Sequence, residues 1–176
     1  MMTYVTGGAS CGKSAEAERL CSLSGGRLVY LAAMRPFGEE GAQRVRKHRA
    51  QRAGKGFTTI ECFDDFEAVL DDERIVGATA LLECLGNVVA NEMFGEDASH
   101  DGVADYVVDV IEKLSHRCHH LVVVGNDVGC DGEVYPSETR AYQEVLGEVS
   151  CRLAALSDQV IECVAGAPVL IKVQCR

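Results

Sequence analysis

Residues 7–14 read Gly7-Gly8-Ala9-Ser10-Cys11-Gly12-Lys13-Ser14, a match to G-x-x-x-x-G-K-[ST]. The flanks supply the context that the motif requires. Residues 3–6 are a short β-prone run and residues 14–23 (SAEAERLCSL) carry good helix formers, so the glycines fall where a first strand turns into a first helix. Such a loop binds phosphate because glycines let successive backbone N–H groups converge without side-chain obstruction, and the helix behind them adds its positive end. Lys13 is expected to reach the β- and γ-phosphates, and the Ser14 hydroxyl to ligate Mg²⁺. All eight residues are candidate nucleotide contacts, and Lys13 is a candidate catalytic group.

The rest of the chain has to be built round that loop. At 176 residues, one domain spanning 1–176 is expected, with a single core. The composition, 47% hydrophobic and 25% charged, is that of a globular protein, and no apolar run is long enough to span a bilayer. The opening MMTYVTGG has neither a basic n-region nor an apolar h-region, so a cytoplasmic location is expected. A formal net charge of −10 argues against nucleic acid as the main partner. The positive charge is unevenly placed, since residues 41–60 contain no acid but include Arg44, Arg46, Lys47, Arg49, Arg52 and Lys55, which reads as a local anion site. Nine cysteines without a C-x-x-C pair read as reduced, mostly buried thiols. Cys11 is the exception, because it lies in the phosphate loop beside an electropositive helix start.

Hydrophobic periodicity then lays out an alternating α/β chain. Residues 27–33 (RLVYLAA) read as a buried strand, 34–38 as a loop, 39–52 as a poorly amphipathic helix, and 57–62 as a short strand after the Gly54-Lys55-Gly56 break. Residues 64–70 read as a short helix, and 79–84 (TALLEC) as an apolar strand ending in an acid, in the manner of a Walker B strand. Helices are expected over 85–94 and 103–117, with a polar loop between them. Residues 121–125 (LVVVG) form the strongest strand, and Asn126-Asp127-Val128-Gly129 follows at its carboxyl end, where α/β folds place their sites. A long helix over 138–156 precedes two strands, 160–164 and 169–173, joined through Gly166-Ala167-Pro168 as a hairpin. The expected fold is α/β and P-loop NTPase-like (RecA-like): a mostly parallel sheet with helices on both faces and an antiparallel edge hairpin at the C-terminal end.

GGASCGKS, the basic segment RVRKHRAQR with His48, the acids of TTIE (Glu61) and LLEC (Glu83), and VVVGNDVG occur in an order and at spacings that resemble one family. It is the bifunctional adenosylcobinamide kinase/adenosylcobinamide-phosphate guanylyltransferase family of cobalamin biosynthesis, and the resemblance covers nearly the whole chain. It implies two reactions at one nucleotide site: phosphorylation of adenosylcobinamide by ATP or GTP with Mg²⁺, then guanylyl transfer from GTP through a histidine–GMP intermediate. It also implies a homotrimer. The histidine matching the family's nucleophile is His48. A neutral imidazole is available at pH 7 and attacks phosphorus well, and Arg44 and Arg52 stand four residues either side of it. The competing reading of His48 is a solvent-facing residue of a charged helix, and His116, His119 and His120 are the other downstream histidines.

By the same matching, Glu61, the segment Ala33, Met34 and Arg35, and the segment Ala50, Gln51, Arg52 and Ala53 correspond to nucleotide contacts. Glu83 reads either as a Mg²⁺ or nucleotide ligand, together with Ser14, or as an acid capping a strand end. The family's usual loop is GGARSGKS, with Arg and Ser where this chain has Ser10 and Cys11, and Pro is usual where Ala53 stands. Two other functions remain open on the residues alone: a P-loop small-molecule kinase without a covalent intermediate, and a catalytically weakened nucleotide-binding protein.

Overall fold

The computed structural model describes residues 1–35, 38, 39, 41, 43, 46, 54–95, 101–129 and 132–174. Seven strands form one sheet in the order β3-β2-β4-β5-β1-β6-β7. They are β1 Met2–Thr6, β2 Leu28–Ala32, β3 Phe57–Glu61, β4 Thr79–Glu83, β5 His120–Val124, β6 Gln159–Val164 and β7 Ala167–Val173. All neighbours pair in parallel except β6 and β7, which form the antiparallel hairpin. The central strands β2, β4 and β5 are rich in Val and Leu because both faces are covered. Helix α1 (Lys13–Ser24) lies on one face, and α2 (Leu85–Phe94), α3 (Val103–Arg117) and α4 (Ser137–Leu156) lie on the other.

The strand period of two divides the core between the faces. Tyr4, Val29, Leu31, Leu82, Leu121 and Val123 pack beneath α2, α3 and α4, whereas Val5, Tyr30, Leu81, Val122 and Val124 meet Ala17 and Cys21 of α1. Each fully buried Leu or Ile contributes roughly 1.5–3 kcal/mol by leaving water. The described residues of the 38–46 stretch, Gly38, Glu39, Gly41, Gln43 and Arg46, are helical. Lys55 ion-pairs with Glu18, tying the turn before β3 to α1.

Two local expectations are refined. The short helix expected over 64–70 is a 3₁₀ turn, Glu67–Asp71, followed by a second, Glu73–Ile75. The Asp65 carboxylate takes the Ala68 N–H ahead of it, and the Asp72 carboxylate caps the second turn by taking the Arg74 N–H. The hairpin turn is Ala165-Gly166, at φ 49° and 87°, and β7 begins at Ala167, earlier than expected. Two successive residues of positive φ match the twist of a tight hairpin, and Pro168 is tolerated because β7 is an edge strand.

His120 opens β5 at the amino end of the sheet and is almost fully buried. Its Nε2 lies 2.9 Å from Thr3 Oγ1, and its Nδ1 is bonded to Ser24 Oγ. A neutral imidazole fits this pair, with one nitrogen donating and the other accepting. Burial, then the N-terminal ammonium and His119, push its pKa down to about 4 from 6.5. A depressed pKa favours the neutral form in the fold. The stabilisation is therefore complete above pH 6.5 and is lost as pH falls towards 4, amounting to on the order of 3 kcal/mol at most. Unfolding by urea at stepped pH should show this loss, and His120→Gln, less stable at pH 7.5, should lose less between pH 6.5 and 4. Equal slopes for both proteins would show that His120 does not set the acid response.

Candidate active site

The strand register collects the site at one end of the sheet. Glu61, Ala32, Glu83, Val124, Val5 and Ile161 stand in a single row across β3, β2, β4, β5, β1 and β6. The glycine-rich loop leaves β1 just beyond this row and enters α1 at Lys13. Its backbone is left-handed at Ser10 (φ 56°) and Gly12 (φ 98°). Gly7 is required by close approach, because a Cβ there would stand 2.4 Å from the Cys163 carbonyl oxygen. The Cys11 carbonyl accepts the Gly166 N–H at 3.0 Å, so the tip of the β6–β7 hairpin braces the loop from behind. No side chain caps α1, which leaves its first N–H groups free for an anion.

Lys13 is buried, and its ammonium is held by the loop it serves. Nζ donates to the Gly7 and Gly8 carbonyls at 2.7 and 2.6 Å and lies 3.7 Å from Cys11 Sγ. Beside it the Ser14 hydroxyl donates to Glu83 Oε1, and the Tyr30 hydroxyl donates to Glu83 Oε2 at 3.2 Å. Glu83 is itself buried. The arrangement brings together an ammonium, an uncapped helix start and a buried carboxylate–hydroxyl pair. Such a set of groups is chemically able to hold and polarise a triphosphate.

The other expected residues fall in three places. Glu61 lies at the same end of the sheet but on the far side of Ala32, where it lines a cavity of about 1070 Å³ with Gly54, Phe57, Asp65, Asp72 and Arg74. No residue of the glycine-rich loop borders that cavity. Ala33 is buried and its carbonyl accepts a 2.8 Å bond from Asn91; Met34 is half-buried; Arg35 ion-pairs with Asp64 at 2.9 Å. His48, Ala50, Gln51, Arg52, Ala53 and Arg44 lie outside the described residues. His119 and His120 stand at the amino end of β5, about 13 Å of strand from the site, and both nitrogens of His120 are engaged. Cys21 and Cys62 are buried, with thiol pKa values raised to about 12, and Cys118 is buried with its value raised to about 11. Cys151 is exposed, an exception to the expectation of buried thiols.

Two contributors escaped the sequence reading, and a third was read only as part of the turn after β5. Tyr30 looked like one more apolar residue of a buried strand, and only the β2–β4 register brings its hydroxyl to Glu83. Asp127 folds back onto the loop, its N–H meeting the Gly7 carbonyl at 3.5 Å and its Oδ1 accepting the Thr6 hydroxyl at 3.1 Å. Tyr142 on α4 donates to the Gly86 carbonyl at 3.1 Å, at the start of α2. The turn after β5 was legible as a site; which of its residues reach the loop was not.

The chain is 30% identical to the bifunctional adenosylcobalamin biosynthesis protein CobU of Salmonella typhimurium, over 98% of this chain and 100% of that protein. It is 28% identical to the bifunctional adenosylcobalamin biosynthesis protein CobP of Pseudomonas aeruginosa, over 98% of each. Among solved structures, the flagellar accessory protein FlaH of Methanocaldococcus jannaschii superposes with a TM-score of 0.45 at 10% identity, over 98% of this chain and 78% of that one, too loosely to bear on function. The model of the cobinamide kinase/cobinamide phosphate guanyltransferase family matches residues 3–171, and the chain belongs to that family.

Proposed function

We propose that the protein phosphorylates adenosylcobinamide with GTP or ATP, and then transfers GMP from GTP through a guanylylated His48 to give adenosylcobinamide-GDP. The observation that carries the reading is the grouping of Lys13, Ser14 and Glu83 at one end of the sheet, in a chain whose family is defined by these two activities. In the first reaction the free N–H groups at the start of α1 cradle the phosphates while Lys13 exchanges its loop carbonyls for phosphate oxygens. Ser14 and Glu83 present hard oxygen donors side by side, with Tyr30 steadying the second carboxylate oxygen, and such a set fits Mg²⁺. Among the described residues no cluster of three or more His, Cys, Asp or Glu could hold a metal, so Mg²⁺ would share these two side chains with the nucleotide and water. Bound there, Mg²⁺ would neutralise charge on the phosphates.

In the second reaction a His48 nitrogen attacks the α-phosphorus of GTP and pyrophosphate leaves. The phosphate of the first product then displaces histidine, forming the new diphosphate. Substrates of this kind place the enzyme in the cytoplasm, and among the described residues no helix is long and apolar enough to cross a membrane. Each copy of the chain sets the edge strand β7, with Leu170 and Ile171 58% and 57% exposed, against a different surface of the next copy, the head-to-tail contact that closes a ring. The assembly we propose is the homotrimer.

Lys13→Ala should keep the fold, with a melting temperature within a few degrees, while GTP affinity measured by calorimetry falls about 100-fold or more. Unchanged affinity would remove Lys13 from the phosphate site. His48→Ala should abolish GMP labelling of the protein and pyrophosphate release, yet keep phosphorylation within about threefold, since that step depends on positioning and charge and not on a nucleophilic side chain. Normal formation of the GDP adduct in this variant would move the nucleophile elsewhere. Light scattering should give three times the 18.9 kDa chain mass, and the pair Leu170→Asp and Ile171→Asp should reduce it to the monomer. A wild-type monomer at micromolar concentration contradicts the assembly.

A further inference from the structure

We propose that the acceptor of the phosphoryl group docks on the turn after β5, where Asp127 takes the proton of its hydroxyl and Asn126 and Gln143 bind its carboxamide arms. The inference rests on the kinase reading above and adds to it the residues that hold the second substrate.

The first observation is a coincidence of unpaired groups. Among the described residues two amide atoms, Asn126 Oδ1 and Gln143 Nε2, are buried without a hydrogen bond, and both border this one turn. Gln143 Nε2 lies 2.3 Å from the point where a Cβ on Gly129 would stand, and the Tyr4 hydroxyl, which has Ser150 and Thr6 as partners, lies 2.0 Å from that of Gly125. Buried polar atoms are nearly always paired, so two orphans at one place mark a site whose partner arrives from outside. Asn126 and Gln143 are half-buried residues, which puts their unpaired atoms just inside the surface. One is an acceptor and the other a donor, the two halves of a bond to a primary carboxamide.

The second observation is position. The Asp127 N–H meets the Gly7 carbonyl and Oδ1 accepts from Thr6, so the carboxylate is moored beside the phosphate loop. Its Oδ2 takes no hydrogen bond from the described residues, and the residue is exposed. Phosphoryl transfer requires the acceptor oxygen held here to approach the γ-phosphorus from the side opposite the leaving diphosphate. The new O–P bond forms as the bond from phosphorus to the β–γ bridging oxygen breaks. The electron pair leaves on the nucleoside diphosphate, and the hydroxyl proton passes to Oδ2 and then to water.

The third observation is the adjoining surface. Phe94, 52% exposed at the end of α2, stands 6.3 Å from the ring of Tyr142 at a 43° tilt, and Val128 on the turn is 40% exposed. A half-exposed aromatic pair beside orphaned amide atoms suits a large, flat, apolar ring fringed with carboxamides. A corrinoid has that chemistry.

The test uses full-length protein with adenosylcobinamide and a saturating triphosphate. Asp127→Asn should lower kcat for phosphorylation about 100-fold or more, with acceptor KM, GTP affinity and GMP labelling of the protein each within about threefold. Asn126→Ala and Gln143→Ala should each raise acceptor KM about tenfold with kcat nearly unchanged. Melting temperatures close to wild type exclude a folding cause, and Gln143→Glu, which lacks the amide donor but keeps the shape, should behave as Gln143→Ala does. An Asp127→Asn enzyme with more than a third of wild-type kcat, or unaltered KM in both alanine variants, overturns the proposal. If the wild-type protein binds GTP but phosphorylates no adenosylcobinamide, the functional reading fails separately. Calorimetry with adenosylcobinamide alone then decides the docking, which stands if binding weakens in Gln143→Ala and falls if the wild type does not bind it.

Discussion

The hydrogen bond from Ser14 to Glu83 joins residues 69 apart in sequence, and much of the architecture exists to make it. Ser14 sits in the first turn of α1, which leaves β1, while Glu83 ends β4, and β5 lies between those two strands. The contact forms because α1 crosses over β5 towards β4, packing Ala17 and Cys21 onto Leu81, Val122 and Val124. Register completes the placement. A one-residue slip of β4 against β5 would turn Glu83 to the face of α2–α4 and bring Leu82 to the α1 side. The apolar cores on the two faces thus enforce the geometry of a polar site that neither core contains.

Burial near this contact gives the charges their strength. Lys13 and Glu83 are both almost fully withdrawn from water, yet each is satisfied, one by loop carbonyls and the other by two hydroxyls. A satisfied buried charge costs little to keep, and an incoming phosphate replaces those partners instead of stripping water from them. The protein is acidic overall, so the uncapped start of α1 and the Lys13 ammonium are a local reversal of its field.

How far this site was legible depended on the range of the interactions. Residues 7–14 announced themselves because the chemistry of a phosphate loop is local: spacing, glycine and one lysine decide it. The central strands were legible for the same reason, as unbroken apolar runs, and their observed ends differ from the expected ones by a residue or two. Residues 64–70 were legible as a short helix but not as a 3₁₀ one that starts at Glu67 and is followed by a second turn at Glu73. Tyr30, Asn126 and Gln143 were invisible in their roles because each acts through a partner brought near only by register or packing. No window of sequence contains Tyr30 with Glu83, and nothing in the stretch between Gly129 and Gln143, 14 residues apart, tells that the two meet. His120 illustrates the reverse error. As a letter it was a candidate nucleophile, and its place between Thr3 and Ser24 makes it a buried structural group at the wrong end of the sheet.

The two loop residues that depart from the family's usual GGARSGKS have consequences that follow from their contacts. Ser10 occupies a left-handed backbone position, φ 56°, which the loop requires whatever side chain stands there; a side chain shorter than Arg leaves the phosphate cradle to its backbone amides and Lys13. Cys11 matters differently. Its carbonyl is committed to the Gly166 N–H, and its sulfur stands near both Lys13 and the position a Gly7 side chain would take. Sulfur is a weak acceptor, so at 3.7 Å it holds the ammonium far less firmly than do the two carbonyl oxygens. Lys13 is consequently moored by backbone groups that every sequence variant of this loop retains. The substitution alters what lines the loop without altering what Lys13 must release when a phosphate arrives.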